Sequence, residues 1–299
     1  MNYRHAFHAG NFADVVKHAV LARIVAYLKD KPAAFRVIDT HAGAGIYDLG
    51  SAEASRTGEW RAGIGKLLAA ELPQAARDLL GPYLDAVASF NPGAATGGAL
   101  KIYPGSPALV RHWLRAQDRM IVCEAEPAAA RALSGRMHGD NRVKPVAIDG
   151  YTALNAYVPP KERRGLVLID PPFEQPDEFA RLEQALAAAH RKWPTGVFLI
   201  WYPPKDARGT QAFGRSLARL NIPRILRAEL TVAPAPDAQK LAGSGLIVVN
   251  PPWTWRTSLP CCCPRWRGSS PGRRAAAGST GSPANDRGAA QRPFPAPHS

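Results

Sequence analysis

Phe35-Arg36-Val37-Ile38-Asp39-Thr40-His41-Ala42-Gly43-Ala44-Gly45 is the stretch on which the fold turns. A short, nearly unbroken apolar run ending in an acid reads as a strand buried on both faces. The Gly-x-Gly that follows permits a sharp turn at positive φ and lets a ligand approach the backbone where side chains are missing. In doubly wound sheets ligands sit beyond the carboxyl ends of the strands, so Asp39 and the turn after it belong to a binding crevice.

Working outward, the same grammar repeats. Met120–Glu124, Val143–Asp149, Leu166–Asp170, Val197–Tyr202, Ile225–Val232 and Leu246–Val249 read as strands, and helical stretches at 127–137, 177–193 and 209–220 separate them. Near-continuous apolar strands alternating with helices predict an α/β fold with a parallel, doubly wound, Rossmann-like sheet. Ahead of it, Asn11 caps a predicted helix in which Val16, Val20, Ile24 and Leu28 recur every four residues until Pro32 stops it. Trp60 to about Phe90 is read as helical. Residues about 50–100 are too many for one crossover, so they are expected to form a helical subdomain inserted into a domain spanning 1–253.

The strand ends carry the chemistry. A dinucleotide fingerprint would need its third glycine where Asp48 stands, which disfavours NAD. S-adenosylmethionine needs only close backbone approach plus carboxylates for its ribose hydroxyls and amino group. Glu124, ending the second strand, can take both ribose hydroxyls, and Asp149-Gly150, ending the third, falls where an adenine ring would lie. Asp170-Pro171-Pro172-Phe173 follows the fourth strand. Methylating the amino group of adenine requires acceptors for both of its hydrogens. The Asp170 carboxylate and the Pro171 carbonyl supply them, while Phe173 is expected to stack on an extruded base. Asn250-Pro251-Pro252-Trp253 is a second motif of similar form, read as a structural turn because it falls three strands later.

The chain has 299 residues, 46% apolar, with a formal net charge of +14, which points to a polyanionic partner. Residues 254–299 hold seven arginines and one aspartate, a formal +6 of that total, leaving +8 for the body. Cys261, Cys262 and Cys263 stand together there, and the segment has no period of 2 or 3.6. Shifting the reading frame by two nucleotides turns each Cys followed by Cys into a leucine codon, and Thr254 to Gly268 then permits an amphipathic helical run. The tail is therefore expected to be a frameshifted, disordered segment, which resequencing the gene checks. No apolar run reaches the length of a membrane helix, no signal peptide is visible, and no metal-ligand spacing is found. The expectation is a cytoplasmic protein without membrane attachment or metal.

With these residues in view, the chain resembles the bacterial 23S ribosomal RNA adenine N6-methyltransferases of the RlmJ type. The resemblance runs from Tyr3 to Trp253. It rests on Tyr3-Arg4-His5, His8-Ala9-Gly10-Asn11, Lys17-His18, Asp39 to Gly45, Arg56-Thr57-Gly58-Glu59, Tyr103-Pro104-Gly105-Ser106-Pro107, Trp201-Tyr202-Pro203 and Asn250 to Trp253. It implies a Rossmann-like methyltransferase with a helical insertion, acting as a monomer on one adenine of 23S rRNA. S-adenosylmethionine contacts are implied at His18, His41, Ser106, Glu124, Asp149 and Gly150. Asp170 is implied as the proton acceptor, and Tyr3 and Arg4 lie near the RNA. Phe173 departs from the tyrosine usual in the family, which keeps stacking and loses one hydroxyl, and the tail does not resemble the family. Two other readings stay open on residues alone: a DNA adenine N6-methyltransferase, and a catalytically silent RNA-binding protein on the same fold.

Overall fold

A computed structural model describes residues 4–93, 99–204, 207–232, 241–252 and 255. Tyr3, Trp253 and nearly all of the stretch read as frameshifted lie outside the described residues. Seven strands form the main sheet: β1 (Arg36–Asp39), β4 (Arg119–Glu124), β5 (Val143–Ala147), β6 (Gly165–Ile169), β7 (Val197–Tyr202), β8 (Ile225–Thr231) and β9 (Gly243–Val249). Two shorter ones, β2 (Ile46–Asp48) and β3 (Ile102–Pro104), pair as a separate antiparallel ribbon.

The order across the sheet is β5-β4-β1-β6-β7-β9-β8. The first five run parallel, whereas β9 is antiparallel to both β7 and β8. The all-parallel expectation is thus corrected at this edge. The chain leaves β1 towards β4 and β5 and later returns on its other side at β6, so β1 and β6 flank the topological switch, where the ligand crevice of such sheets opens.

Every residue of β6 and β9 is buried, which explains why Leu166–Ile169 and Leu246–Val249 read as unbroken apolar runs. One face of the sheet packs on α1 (Phe12–Lys29) and α5 (Ser106–Trp113) through Val37, Met120, Leu168 and Val248, and α4 (Gln74–Ser89) packs on those two helices. The other packs on α7 (Gly150–Tyr157), α8 (Glu178–Lys192) and α9 (Ala207–Arg219) through Ile38, Val167, Phe198 and Val249. On the edge side of β4 and β5 lies α6 (Pro127–Met137). Among the described residues no helix is long and apolar enough to cross a membrane.

One helical expectation is redrawn. The stretch from Trp60 to Phe90 is broken into a wide turn at Arg61–Gly65, a short α3 (Lys66–Ala69) and α4, with α2 (Ala52–Thr57) before them. The break has a tertiary cause. Ile64 N donates to Gly10 O at 2.9 Å, and a Cβ on Gly63 would lie 2.1 Å from that same oxygen, so the chain is held non-helical against the N-terminal leader. The helix after Gly105 runs from Ser106 to Trp113. Asn11 does cap α1, its side chain accepting from Ala13 N and Asp14 N at 3.0 Å.

Candidate active site

The Gly-x-Gly turn leaves β1 with Gly43 at φ 60° and Gly45 at φ 81°. A Cβ on Gly43 would lie 2.3 Å from the Tyr47 hydroxyl, so only glycine fits. Gly43 N donates to Glu124 Oε2 at 2.8 Å and Glu126 N to Glu124 Oε1 at 2.7 Å, which fixes the carboxylate at the end of β4 beside the turn. Above them opens a cavity of about 440 Å³, lined by His18, His41, Ser106, Glu124, Asp170 and Arg4 among others. A smaller cavity of about 200 Å³ shares His41 and Glu124 with it and adds Asp149 and Gly150. The structure therefore gathers the strand-end residues expected from sequence around two adjoining hollows.

His18 comes from the buried side of α1, 1% exposed. Its Nδ1 is 2.8 Å from the Tyr103 hydroxyl, which is 3.0 Å from that of Tyr83, while its Nε2 is buried with no partner. Burial pushes its imidazole down to about 3, so it is neutral near pH 7. His41 bonds Thr40 Oγ1 at 2.8 Å, stands edge-on to Tyr151 and is likewise pushed down to about 4 by burial. Ser106 opens α5 and donates to Asp39 Oδ2 at 2.6 Å; Asp39 Oδ1 is buried and unpartnered. Burial raises the Asp39 carboxyl to about 7 against the lowering effect of the Ser106 hydrogen bond, with Asp170 adding to the rise. Asp149 caps α7, accepting from Thr152 N at 2.8 Å and Thr152 Oγ1 at 2.9 Å. A Cβ on Gly150 would meet Thr40 O and His41 Cε1, both at 2.5 Å, so α7 starts in close contact with the β1 turn.

Asp170 leaves β6 at the switch point, and its Oδ2 accepts from Lys17 Nζ. Lys17 is 4% exposed and also pairs with Asp14 Oδ1 at 2.8 Å. Asp14 Oδ2 takes His5 Nε2 at 3.0 Å and Gly10 N at 2.9 Å. Burial alone would lower the lysine and raise the Asp14 carboxyl. The mutual charges prevail: Asp14 and Asp170 lift Lys17 above its ordinary value, and His5 and Lys17 bring Asp14 well below the carboxylate range. Sequence reasoning gave Lys17 and Asp14 no role. It followed the repeat Val16, Val20, Ile24 and Leu28, of which Ile24 and Leu28 are buried and Val16 and Val20 half-buried, whereas the buried face also includes Asp14, Lys17, His18, Leu21 and Val25. The signal available was two opposite charges three residues apart beside apolar positions on one helix.

The leader that carries Arg4 and His5 is clasped from the helical insertion. Glu59 receives His8 Nδ1 and Asn11 Nδ2, both at 3.0 Å, Thr57 Oγ1 donates to Phe7 O, and the Arg56 guanidinium lies 4.2 Å from the Phe7 ring centre.

Phe173 and Pro171 line neither cavity, although Pro172 lines both. At φ 51° the Phe173 ring is 5.8 Å from Trp201, edge-on, and 5.1 Å from Phe179. Asn250 is fully employed: Nδ2 donates to Pro194 O and Gly196 O at 2.8 Å, and Oδ1 accepts from Arg224 Nη2 at 2.8 Å. Because β9 runs against β7, Asn250 also falls at the sheet end opposite Asp170. Among the described residues no group of three or more His, Cys, Asp or Glu side chains is placed to hold a metal.

A sheet of this order, with a glycine turn after β1 and acids at successive strand ends around the switch-point crevice, defines a Rossmann-like methyltransferase. Comparison with known proteins narrows the class. The chain belongs to the family described as ribosomal RNA large subunit methyltransferase D, RlmJ, whose model matches residues 32–265. It is 39% identical over 258 residues to the ribosomal RNA large subunit methyltransferase J of Escherichia coli (strain K12), covering 85% of this chain and 88% of that protein. It is 38% identical over 260 residues to the protein of the same name from Haemophilus influenzae, covering 87% and 90%. A crystal structure of a Legionella pneumophila protein superposes with a TM-score of 0.74 at 35% identity, covering 83% of this chain and 88% of that one.

Proposed function

We propose that the chain transfers a methyl group from S-adenosylmethionine to the exocyclic N6 of an adenine in 23S ribosomal RNA. It does so as a cytoplasmic monomer whose catalytic domain spans 1–253 with the helical insertion. The observation that carries the reading is Asp170, held by buried Lys17 at the rim of the switch-point cavity. The ribosomal substrate follows from relatives that cover most of this chain and are named for the large ribosomal subunit.

The cavity fits the cofactor. His18 Nε2 is an unpartnered buried polar atom beside the start of α5, where backbone N–H groups and Ser106 favour a carboxylate. Asp39 lines neither hollow and, through its Oδ2, orients the Ser106 hydroxyl that does line one. Glu124 would hold the ribose hydroxyls, and Asp149 and Gly150, with His41 at the junction of the two hollows, would border the adenine. When bound, S-adenosylmethionine would supply an electrophilic methyl on a cationic sulfur, the methyl–sulfur bond breaking to leave a neutral thioether.

The protein's own part is positioning. Lys17 engages one oxygen of Asp170 and leaves the other to accept a hydrogen of the target amino group, the second going to the Pro171 carbonyl, so that the nitrogen lone pair is aimed into the cavity. As the N–C bond forms, the carboxylate offsets the charge developing on nitrogen and then receives its surplus proton. Phe173, already wedged against Trp201, is the ring available to an extruded base. Arg4 at the cavity rim would face the RNA; the contact expected of Tyr3 falls outside the described residues.

Radiolabelled methyl transfer to protein-free 23S rRNA and to duplex DNA, with wild type and Asp170→Ala, tests this. Incorporation into RNA by wild type alone is expected. Equal incorporation by both proteins would overturn the catalytic role, and label in DNA alone would overturn the substrate.

A further inference from the structure

Most arginines outside the site serve the fold. Arg36 is bound by Glu162, Arg111 and Arg142 by Asp140, Arg115 by Asp118, while Arg136 donates to Ala44 O and Arg164 to Leu28 O. On α9 the pattern differs. Arg208, Arg215 and Arg219 are all exposed, make no hydrogen bond or ion pair with any described residue, and share the helix with no acid. At seven and four residues apart they fall within about 40° of arc and span about 16 Å. Phe213 and Leu217 lie on the opposite side of the helix, buried in the core.

We infer that this face of α9 is a docking surface for the phosphate backbone of RNA, an inference that rests on reading the site as that of an RNA methyltransferase. Three features carry it. Arginine is suited to phosphate because its planar fork binds two oxygens at once. Glu183 on α8, the carboxylate that reaches α9, bonds Ser216 Oγ rather than any arginine of the stripe. The helix also follows β7, whose carboxyl end stands beside that of β6 and Asp170, so the stripe starts at the catalytic end of the sheet. An aromatic chain ties it there: Phe213 lies 4.6 Å from Phe179, which lies 5.1 Å from Phe173. RNA seated on α9 is thereby held in fixed relation to the catalytic loop, the positioning task that backbone contacts perform. The helical insertion is the obvious rival, but from Ala52 to Ser89 it carries four basic and five acidic residues.

The test compares wild type with the triple variant Arg208→Gln/Arg215→Gln/Arg219→Gln, using protein-free 23S rRNA. Filter binding is measured between 50 and 200 mM salt alongside methyl transfer. Expected are a KM for RNA higher on the order of tenfold, an unchanged kcat, and a slope of log affinity against log salt shallower by about 2–3, from three contacts at about 0.7–0.9 each. The triple Arg→Lys variant should keep most of the slope. An unchanged KM and slope would overturn the inference. So would an equal loss in Arg61→Gln/Lys66→Gln/Arg77→Gln, since the effect would then be one of net charge. Should wild type bind RNA yet transfer no methyl, the catalytic reading fails while a slope reduced by the α9 variant still upholds the docking face.

Discussion

Replacing Lys17 by methionine removes the cation between two carboxylates while keeping the volume of the stem. Taking one partner from a buried ion pair costs about 3–5 kcal/mol, mostly the penalty of the charge left behind. The lower end applies here. Asp14, 2% exposed, keeps His5 and Gly10 N on Oδ2 and loses only the Lys17 bond on Oδ1, and the Asp170 side chain at 16% exposure can turn to water. A loss of about 3 kcal/mol, at an m-value of about 3 kcal/mol/M, moves the urea midpoint by about 1 M. The pH dependence has a definite sign. The Asp14 carboxyl is held well below its usual range, so the stability it contributes is present above the ordinary carboxylate value and is lost as pH falls through the lowered one. Without Lys17 that carboxyl rises and protonates sooner, so the gap between the proteins should narrow from pH 7.5 towards pH 4.5. Lys17→Met/Asp14→Leu should recover only part of the stability, since Gly10 N and His5 lose their acceptor, and not methyl transfer, because Asp170 remains unheld. Urea titrations at both pH values together with the transfer assay decide it. A single variant within about 1 kcal/mol of wild type, or one with full activity, would refute the argument.

Asp39→Asn should stabilise the protein above neutrality. With the carboxyl raised to about 7, folding favours its protonated form, so stability is undiminished below pH 4, declines between 4 and 7, and stays reduced above, by an upper bound of about 4 kcal/mol. A wild-type-to-variant difference that ignores pH would contradict this. Gly150→Ala drives a Cβ against the backbone oxygen of Thr40, and more than about tenfold loss of S-adenosylmethionine affinity is expected by calorimetry; unchanged affinity would show that α7 does not border the cofactor. Glu59→Gln loosens the leader. The Glu59 hydrogen bond raises His8, so the pair's contribution is full below pH 6.5 and fades as pH rises through the folded value. Both side chains are more than a third exposed, so the melting difference should be small, below about 1 kcal/mol, larger at pH 6 than at pH 8.5.

What the sequence disclosed and what it withheld divide along physical lines. Strands buried on both faces announce themselves, and β1, β4 and β7 fall within a residue of their predicted bounds because Ile121 and Leu199 sit in unbroken apolar runs and Val37 in one broken only by Arg36. The β2–β3 ribbon has three residues a side, too few to show a period, and the break at Gly63 depends on Gly10 O, more than fifty residues away. Lys17 escaped notice because a helix packed on several sides has no single apolar stripe, so its charged residues look solvated until the partners 3 and 153 positions away are placed.

Strand direction is the deeper case. Asp170-Pro171-Pro172 and Asn250-Pro251-Pro252 each follow a fully buried strand, and nothing local says which way that strand runs. Once β9 is laid against β7 antiparallel, one motif faces the cavity and the other the far end of the sheet, where Arg224, Pro194 and Gly196 absorb the asparagine completely. Two motifs of nearly the same form are thus separated by topology, and chemistry follows from whichever carboxyl end the crevice receives.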